Sequence, residues 1–285
     1  MTRGREPLCS RLQTLNKHTM TEAFIHWSPD PEILRIGSLA IRWYGLLFAC
    51  AFIFGYFVML GFFKKEKVPV DKLDTLTTYM VVGTVVGARL GHCLFYEPVY
   101  YLSHPWKILE VWEGGLASHG AALGILLSIW IFAKRNQLTF LWVVDRIVIV
   151  VALSGLFIRM GNLMNSEIFG HVTSLPWGFY FEKASATFES ADPRHPTQIY
   201  EALGYFLVFL FLWRLYYIKD GKPAPGLFFG LFLVLVFGLR FFIEFLKEPQ
   251  VGFEHGLPLN MGQMLSIPFV ILGCWLIYHS RSLKA

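Results

Sequence analysis

The sequence predicts an all-α polytopic membrane protein of seven transmembrane helices, and three observations carry that class. The 285 residues are 55% hydrophobic and only 16% charged, whereas soluble chains are about 45–50% apolar and about 25% charged. The apolar residues gather into seven runs, roughly 41–63, 76–96, 115–133, 140–158, 197–218, 225–246 and 261–279. Each is near the length that crosses about 30 Å of hydrocarbon as a helix. Finally, the short loops after the first, third, fifth and seventh runs are basic: Lys64, Lys65 and Lys67, then Lys134 and Arg135, then Lys219 and Lys222, then Arg281 and Lys284. That asymmetry marks a cytoplasmic side. With seven runs it places the N-terminus in the periplasm and the C-terminus in the cytoplasm.

Taken in order, residues 1–19 carry Arg3, Arg5, Arg11 and Lys17 on the side expected to face outward. They lack the apolar centre of a signal peptide. They are expected to be an extension ahead of a true start at Met20, leaving 20–285 as one seven-helix domain. The first run begins "IRWYG", with Arg42 and Tyr44. The second carries Gly83, Gly87 and Gly91 four apart and ends "GARLGHCLFYE", with Arg89, His92 and Tyr96. The third opens "WEGGLASHGAALG", with His119, Gly120 and Gly124. The fourth ends in "LFIRMGNLMNSEIFG", where Gly161 is placed to stop the helix and let Asn162 to Glu167 turn back. Residues of about 170–195 make a small periplasmic head, in which "PWGFYFEKASATF" alternates as a hairpin would. The fifth run begins "RHPTQIYE", with Arg194, His195, Gln198, Tyr200 and Glu201. The sixth holds Gly226 and Gly230 and ends "GLRFFIEFLKEP", with Arg240 and Glu244. The seventh begins "MGQMLSIP".

Small residues four apart allow close helix packing in lipid. Tyr96, Trp112 and Tyr200 suit an interfacial aromatic belt. His92 and His195 suit hydrogen bonding at helix ends. Cys9, Cys50, Cys93 and Cys274 show no metal or redox spacing and read as small buried thiols. The net charge of +5 fits basic loops rather than a nucleic-acid footprint.

The polar residues gather at the periplasmic ends of their helices, opposite the loops that set the orientation. A charge at mid-membrane costs about 2.5–3.5 kcal/mol on insertion scales. Arg89, Arg159 and Arg240 therefore need partners, and Glu167, Glu201 and Glu244 are candidates. Such a ring fixes helices and nothing more, or it binds a ligand. Guanidinium forks match phosphate oxygens, and beside lipid the phosphate at hand is a phospholipid headgroup. A nearby histidine serves as general base. The residues thus point to phospholipid chemistry at the outer face of a cytoplasmic membrane.

Seven motifs in register carry a resemblance over about Phe24 to Tyr278: "IRWYG", "GARLGHCLFY", "GGLASHGAALG", "RMGNLMNSEIFG", "RHPTQIYE", "LRFFIEFLKEP" and "MGQMLSIP". They resemble the prolipoprotein diacylglyceryl transferase family of the bacterial cytoplasmic (inner) membrane. The resemblance implies transfer of the diacylglyceryl group of phosphatidylglycerol to the lipobox cysteine of a preprolipoprotein, with membrane lipids around it, no nucleic acid, no cofactor and no metal. It implies seven helices and an active cavity toward the periplasm. It matches Arg159, Asn162, Glu167 and Gly170 to the signature, Tyr44 to a first-helix tyrosine, His119 and Gly120 to a histidine–glycine pair, and Arg240 and Glu244 to a sixth-helix pair. Arg159 and Arg240 would grip phosphate, with Asn162, Glu167, Glu244, Gly120 and Arg89 lining the lipid site. The thiol's proton has two candidate fates, His119 or release from a thiol whose pKa neighbouring arginines depress. His92, Ala121 and Leu163 depart from the family's usual residues, which bears on cavity shape.

Three rival classes fit the sequence less well. A transporter would carry charge at the midplane and inverted repeats, and neither is visible. An intramembrane serine protease would rest on Ser154 in a generic context. A purely structural protein leaves the arginine–asparagine–glutamate grouping without a purpose.

Overall fold

The computed structural model of the chain describes residues 24–37, 39–111, 114–184, 192–248 and 258–282. The extension at 1–19, the start at Met20, Cys9, Trp112 and the far side of the expected hairpin, 185–191, lie outside the described residues. Strands β1 (Ile25–Trp27), β2 (Glu32–Ile36) and β3 (Leu39–Arg42) precede helix α1 (Trp43–Lys65). Then come α2 (Val70–Phe95), α3 (Pro98–Ser103), a 3-10 turn (Pro105–Leu109), α4 (Ser118–Arg135) and α5 (Phe140–Met164). Strand β4 (Phe179–Phe181) leads to α6 (Thr197–Ile218), α7 (Leu227–Ile243), a 3-10 turn (Glu244–Leu246) and α8 (Met261–Ser282).

Helices dominate, but the four short strands correct the all-α expectation. Among the described residues 6 helices are long and apolar enough to cross a membrane: α1, α2, α5, α6, α7 with its 3-10 turn, and α8. By length and composition it is a polytopic membrane protein. The third expected crossing, α4, falls short because His119 sits in its first turn and Lys134 and Arg135 in its last. Only Gly120 to Ala133 is left as its apolar stretch. β4 alternates as expected, with Phe179 and Phe181 buried and Tyr180 between them half-buried. Its neighbour is β1, in parallel, with Ile25 opposite Phe179 and Trp27 opposite Phe181. β2 and β3 form a separate antiparallel pair.

The chain divides into two units. The first comprises Met1–Ala51, Ser154–Leu207 and Leu235–Val270; the second comprises Phe52–Leu153, Val208–Val234 and Ile271–Ala285. The first unit buries Leu163, Phe169, Phe179 and Phe181 together, with Trp27, Met160 and Ile199 packed against them. The indole of Trp27 donates to the Leu163 carbonyl at 2.8 Å, tying β1 to the end of α5.

In the second unit α2 and α4 meet along their glycines. A Cβ on Gly87 would lie 2.4 Å from the Gly120 carbonyl oxygen, and one on Gly124 would lie 2.1 Å from that of Gly83. Only glycine allows that backbone contact. Gly87→Ala is therefore expected to cost about 1–3 kcal/mol of stability, read as a lower unfolding midpoint in detergent. Elsewhere in this unit Glu66 accepts from Trp142 Nε1 at 3.0 Å and from Arg146 Nη2 at 2.7 Å. Asp145 accepts the backbone N–H groups of Gly226 (2.7 Å) and Phe229 (2.9 Å), capping α7.

Two glycines do different work from that expected. Gly226 lies before α7 with φ +82, so it serves a left-handed entry turn rather than a packing stripe. Gly161 does not end α5, which runs on to Met164. Its bare Cα admits the ring of Tyr44, whose Cδ2 would be 2.7 Å from an added Cβ. Among the described cysteines Cys93 is buried, Cys50 half-buried and Cys274 exposed, so only Cys93 fits the buried-thiol reading.

Candidate active site

The site lies in the first unit, where α5 breaks into a tight turn. Backbone bonds from Asn165 to the Gly161 carbonyl, from Ser166 to Leu163 and from Glu167 to Asn162 close it at 3.0–3.1 Å. Ser166 (φ +53) and Ile168 (φ +60) are both left-handed. For a β-branched residue that is a strained conformation, and it holds Glu167 facing back along the helix. Asn162 Nδ2 donates to Glu167 Oε1 at 2.7 Å, and Asn165 Nδ2 does so at 3.3 Å. The start of α6 braces the same turn: Gln198 Nε2 donates to the Glu167 carbonyl (2.7 Å) and Thr197 Oγ1 to that of Ile168 (3.0 Å).

Arg159 sits one turn earlier on α5, with only 12% of its side chain exposed. Its Nη1 donates to Asn162 Oδ1 at 3.1 Å. Its Nε lies 2.7 Å from Glu201 Oε2, and its Nη2 donates to Glu201 Oε1 at 3.4 Å. Glu201 is wholly buried and also receives Lys247 Nζ at 2.9 Å. The same ammonium reaches Glu244 Oε2 at 3.4 Å, and Glu244 Oε2 lies 3.9 Å from Arg240 Nε. The result is an alternating ladder, Arg159–Glu201–Lys247–Glu244–Arg240, with a cation at each end. Its last link is loose. Arg240 Nε is buried without a hydrogen-bond partner among the described residues, a costly state for a cationic donor.

Glu167 thus pairs with amides rather than with an arginine, while Glu201 and Glu244 take the arginines. Lys247 lies within the motif "LRFFIEFLKEP", where the residue order alone shows no role for it. A basic residue just past an apolar run ordinarily marks the interface; its spacing of three from Glu244 was the available signal. Gly170 also acquires a visible job. A Cβ there would lie 2.3 Å from the Leu246 carbonyl oxygen, at the point where Gly170 bridges Lys247 as antiparallel strand.

Arg89, His119 and Gly120 belong to the second unit. Arg89 is buried, and its guanidinium donates to the carbonyls of Ile108 (3.0 Å), Gly114, Gly115 (3.4 Å) and Lys107 while lying over the Tyr101 ring. These contacts bind the loop between α3 and α4. His119 is exposed in the first turn of α4, and Gly120 packs against Gly87 and Gly91. Just before α6, burial first and the neighbouring His171 second hold His195 below the ordinary histidine value. Its ring lies 3.3 Å from the Tyr200 hydroxyl, as a helix-end hydrogen bonder would.

Fold and site together define a polytopic membrane protein with a buried arginine ladder at the broken end of one span. Comparison with known sequences narrows that class. The profile of the prolipoprotein diacylglyceryl transferase family matches residues 31–279, and the chain belongs to that family. It is 48% identical to the phosphatidylglycerol–prolipoprotein diacylglyceryl transferase of Tolumonas auensis, over 92% of this chain and 99% of that protein. A protein of the same name from Chloroherpeton thalassium is 46% identical over 91% of this chain and 96% of its own length. Another, from Bacteroides fragilis, is 44% identical over 92% and 97%.

Proposed function

We propose that this chain moves the diacylglyceryl group of phosphatidylglycerol onto the lipobox cysteine of preprolipoproteins and releases glycerol 1-phosphate. Sulfur attacks the diacylglycerol carbon that carries the phosphate ester. An S–C bond forms, the C–O bond breaks, and its electron pair leaves on the phosphate oxygen. The proton lost by the thiol balances the second negative charge gained by the departing phosphate monoester. Arginines aimed at that oxygen stabilise charge as it develops, which lowers the barrier.

The observation that carries the reading is the ladder with a cation at each end. A network built only to fix helices would close its last pair. This one leaves Arg240 Nε buried and without a hydrogen-bond partner among the described residues, 3.9 Å from Glu244. A phosphate oxygen supplies the missing acceptor. Asn162 and Glu167 hold Arg159 and the headgroup in register. Tyr44 enters on its motif and on its ring seated against Gly161 of the signature; Arg89, His119 and Gly120 enter on the resemblance of their motifs alone, with His119 or an arginine-lowered pKa accounting for thiol ionisation. The basic loops favour an inner-membrane protein with this site toward the periplasm, α4 as a seventh crossing, and residues of about 170–195 as a periplasmic head.

The test uses purified protein, phosphatidylglycerol labelled in its diacylglyceryl part, and lipobox peptides bearing cysteine or serine. Label is expected on the cysteine peptide only. No label there, or equal label on the serine peptide, sinks the proposal.

A further inference from the structure

We infer that Lys247 is a positioning residue for this reaction, setting where the two phosphate-gripping arginines stand. The inference rests on the proposed reading of Arg159 and Arg240. Lys247 is 3% exposed, and among the described residues its ammonium is the one cation shared by two buried carboxylates, 2.9 Å from Glu201 and 3.4 Å from Glu244. Those carboxylates in turn hold Arg159 and Arg240. Remove the ammonium, and two buried negative charges lose their shared counter-ion. Each is then drawn to its own arginine. The guanidinium groups move toward their glutamates and away from the phosphate, and the loose 3.9 Å gap at Arg240 closes.

The backbone supports the same role. Leu246 accepts the N–H of His171 at 2.8 Å, and Lys247 bridges Gly170. Three residues before Gly170 stands Glu167, which Asn162 connects to Arg159. Lys247 is thus joined to Arg159 by two routes, through the Glu201 side chain and through the signature turn. What the place requires is a cation with several donors, since the two carboxylates lie in different directions. Its side-chain partners are the two carboxylates, and its effect passes through the arginines they hold.

The test compares K247M, K247R and the double variant K247M/E201Q, which removes one charge of each sign from the buried ladder and so guards against simple unfolding. Thermal midpoint, kcat and KM for phosphatidylglycerol are measured with the cysteine peptide. Misplacing a reacting group by about 1 Å costs roughly 100-fold in rate, so the folded double variant is expected to lose roughly 100-fold in kcat. Its KM should shift by less than about threefold, the pattern of an interaction made in the transition state. K247R, which keeps a cation between the carboxylates, should restore most of what K247M loses. Full turnover in the double variant overturns the inference, as does a raised KM with unchanged kcat, or K247R behaving like K247M. Failure of both K247M and the double variant to fold assigns Lys247 to stability alone and overturns it as well. Absence of transfer by the unaltered protein is a different result: it removes the proposed function itself.

Discussion

Arg159→Lys is expected to lower diacylglyceryl transfer by roughly 100- to 1,000-fold, the cost of losing a donor aimed at developing negative charge, while leaving the protein folded. The charge survives the exchange, so Glu201 keeps two cationic neighbours. What is lost is the planar fork. Arg159 reaches Asn162 with Nη1 and Glu201 with Nε and Nη2 at once. An ammonium is a point charge on a flexible stem and does not hold two partners on opposite edges of a plane at once. Arg159→Met should behave differently. It leaves the wholly buried Glu201 carboxylate without one of its two cations; breaking a buried pair typically costs about 3–5 kcal/mol, so unfolding in detergent should come earlier. Transfer rates and thermal midpoints on the two variants separate these effects. A folded Arg159→Lys protein with full turnover means that Arg159 does not touch the reacting phosphate.

Much of this was legible in the sequence because membrane chains spend charge so sparingly. Arg159, Asn162, Glu167, Arg240 and Glu244 stood out against apolar surroundings, and six of the seven motifs that carry the family resemblance lie wholly among the described residues. Partner choice was not legible. Nothing in the residue order says that Glu201 takes both Arg159 and Lys247, or that Glu167 takes amides, since those pairings form between segments far apart in sequence. Gly161 was misread for a similar reason: its purpose is the Tyr44 ring, contributed by another helix, and a glycine near a polar turn looks the same either way. Asp145 went unremarked within an apolar run, though it caps α7 through Gly226 and Phe229. The strands were hidden by their length. Three residues of alternation in β4 cannot reveal that the partner is β1, some 150 positions earlier and parallel to it. The shortfall of α4 follows from charge at both of its ends, which an apolar-run reading with boundaries good to a few residues does not resolve.

Gly170→Ala should be as damaging to transfer as the loss of a gripping arginine, although the residue has no side chain to offer a substrate. The added methyl would lie 2.3 Å from the Leu246 carbonyl oxygen and 2.8 Å from both His195 Cβ and Thr197 Cγ2. None of these is the free end of a long side chain that swings aside. The backbone must yield, and what yields is the junction between the signature turn and the Leu246–Lys247 segment, where His171 donates to Leu246 and Gly170 to His195. Overpacking of this kind costs about 1–3 kcal/mol, which lowers the thermal midpoint without abolishing the fold. Displacing Lys247 and Glu167 together by even about 1 Å is expected to cost roughly 100-fold in turnover. Gly238→Ala supplies the comparison, since an added Cβ there meets nothing within 4 Å even though it lies two positions from Arg240. That variant should be near normal in both stability and rate. If the two alanine variants turn over alike, the junction at Gly170 does not transmit geometry to the arginines, and the ladder must be held by its side chains alone.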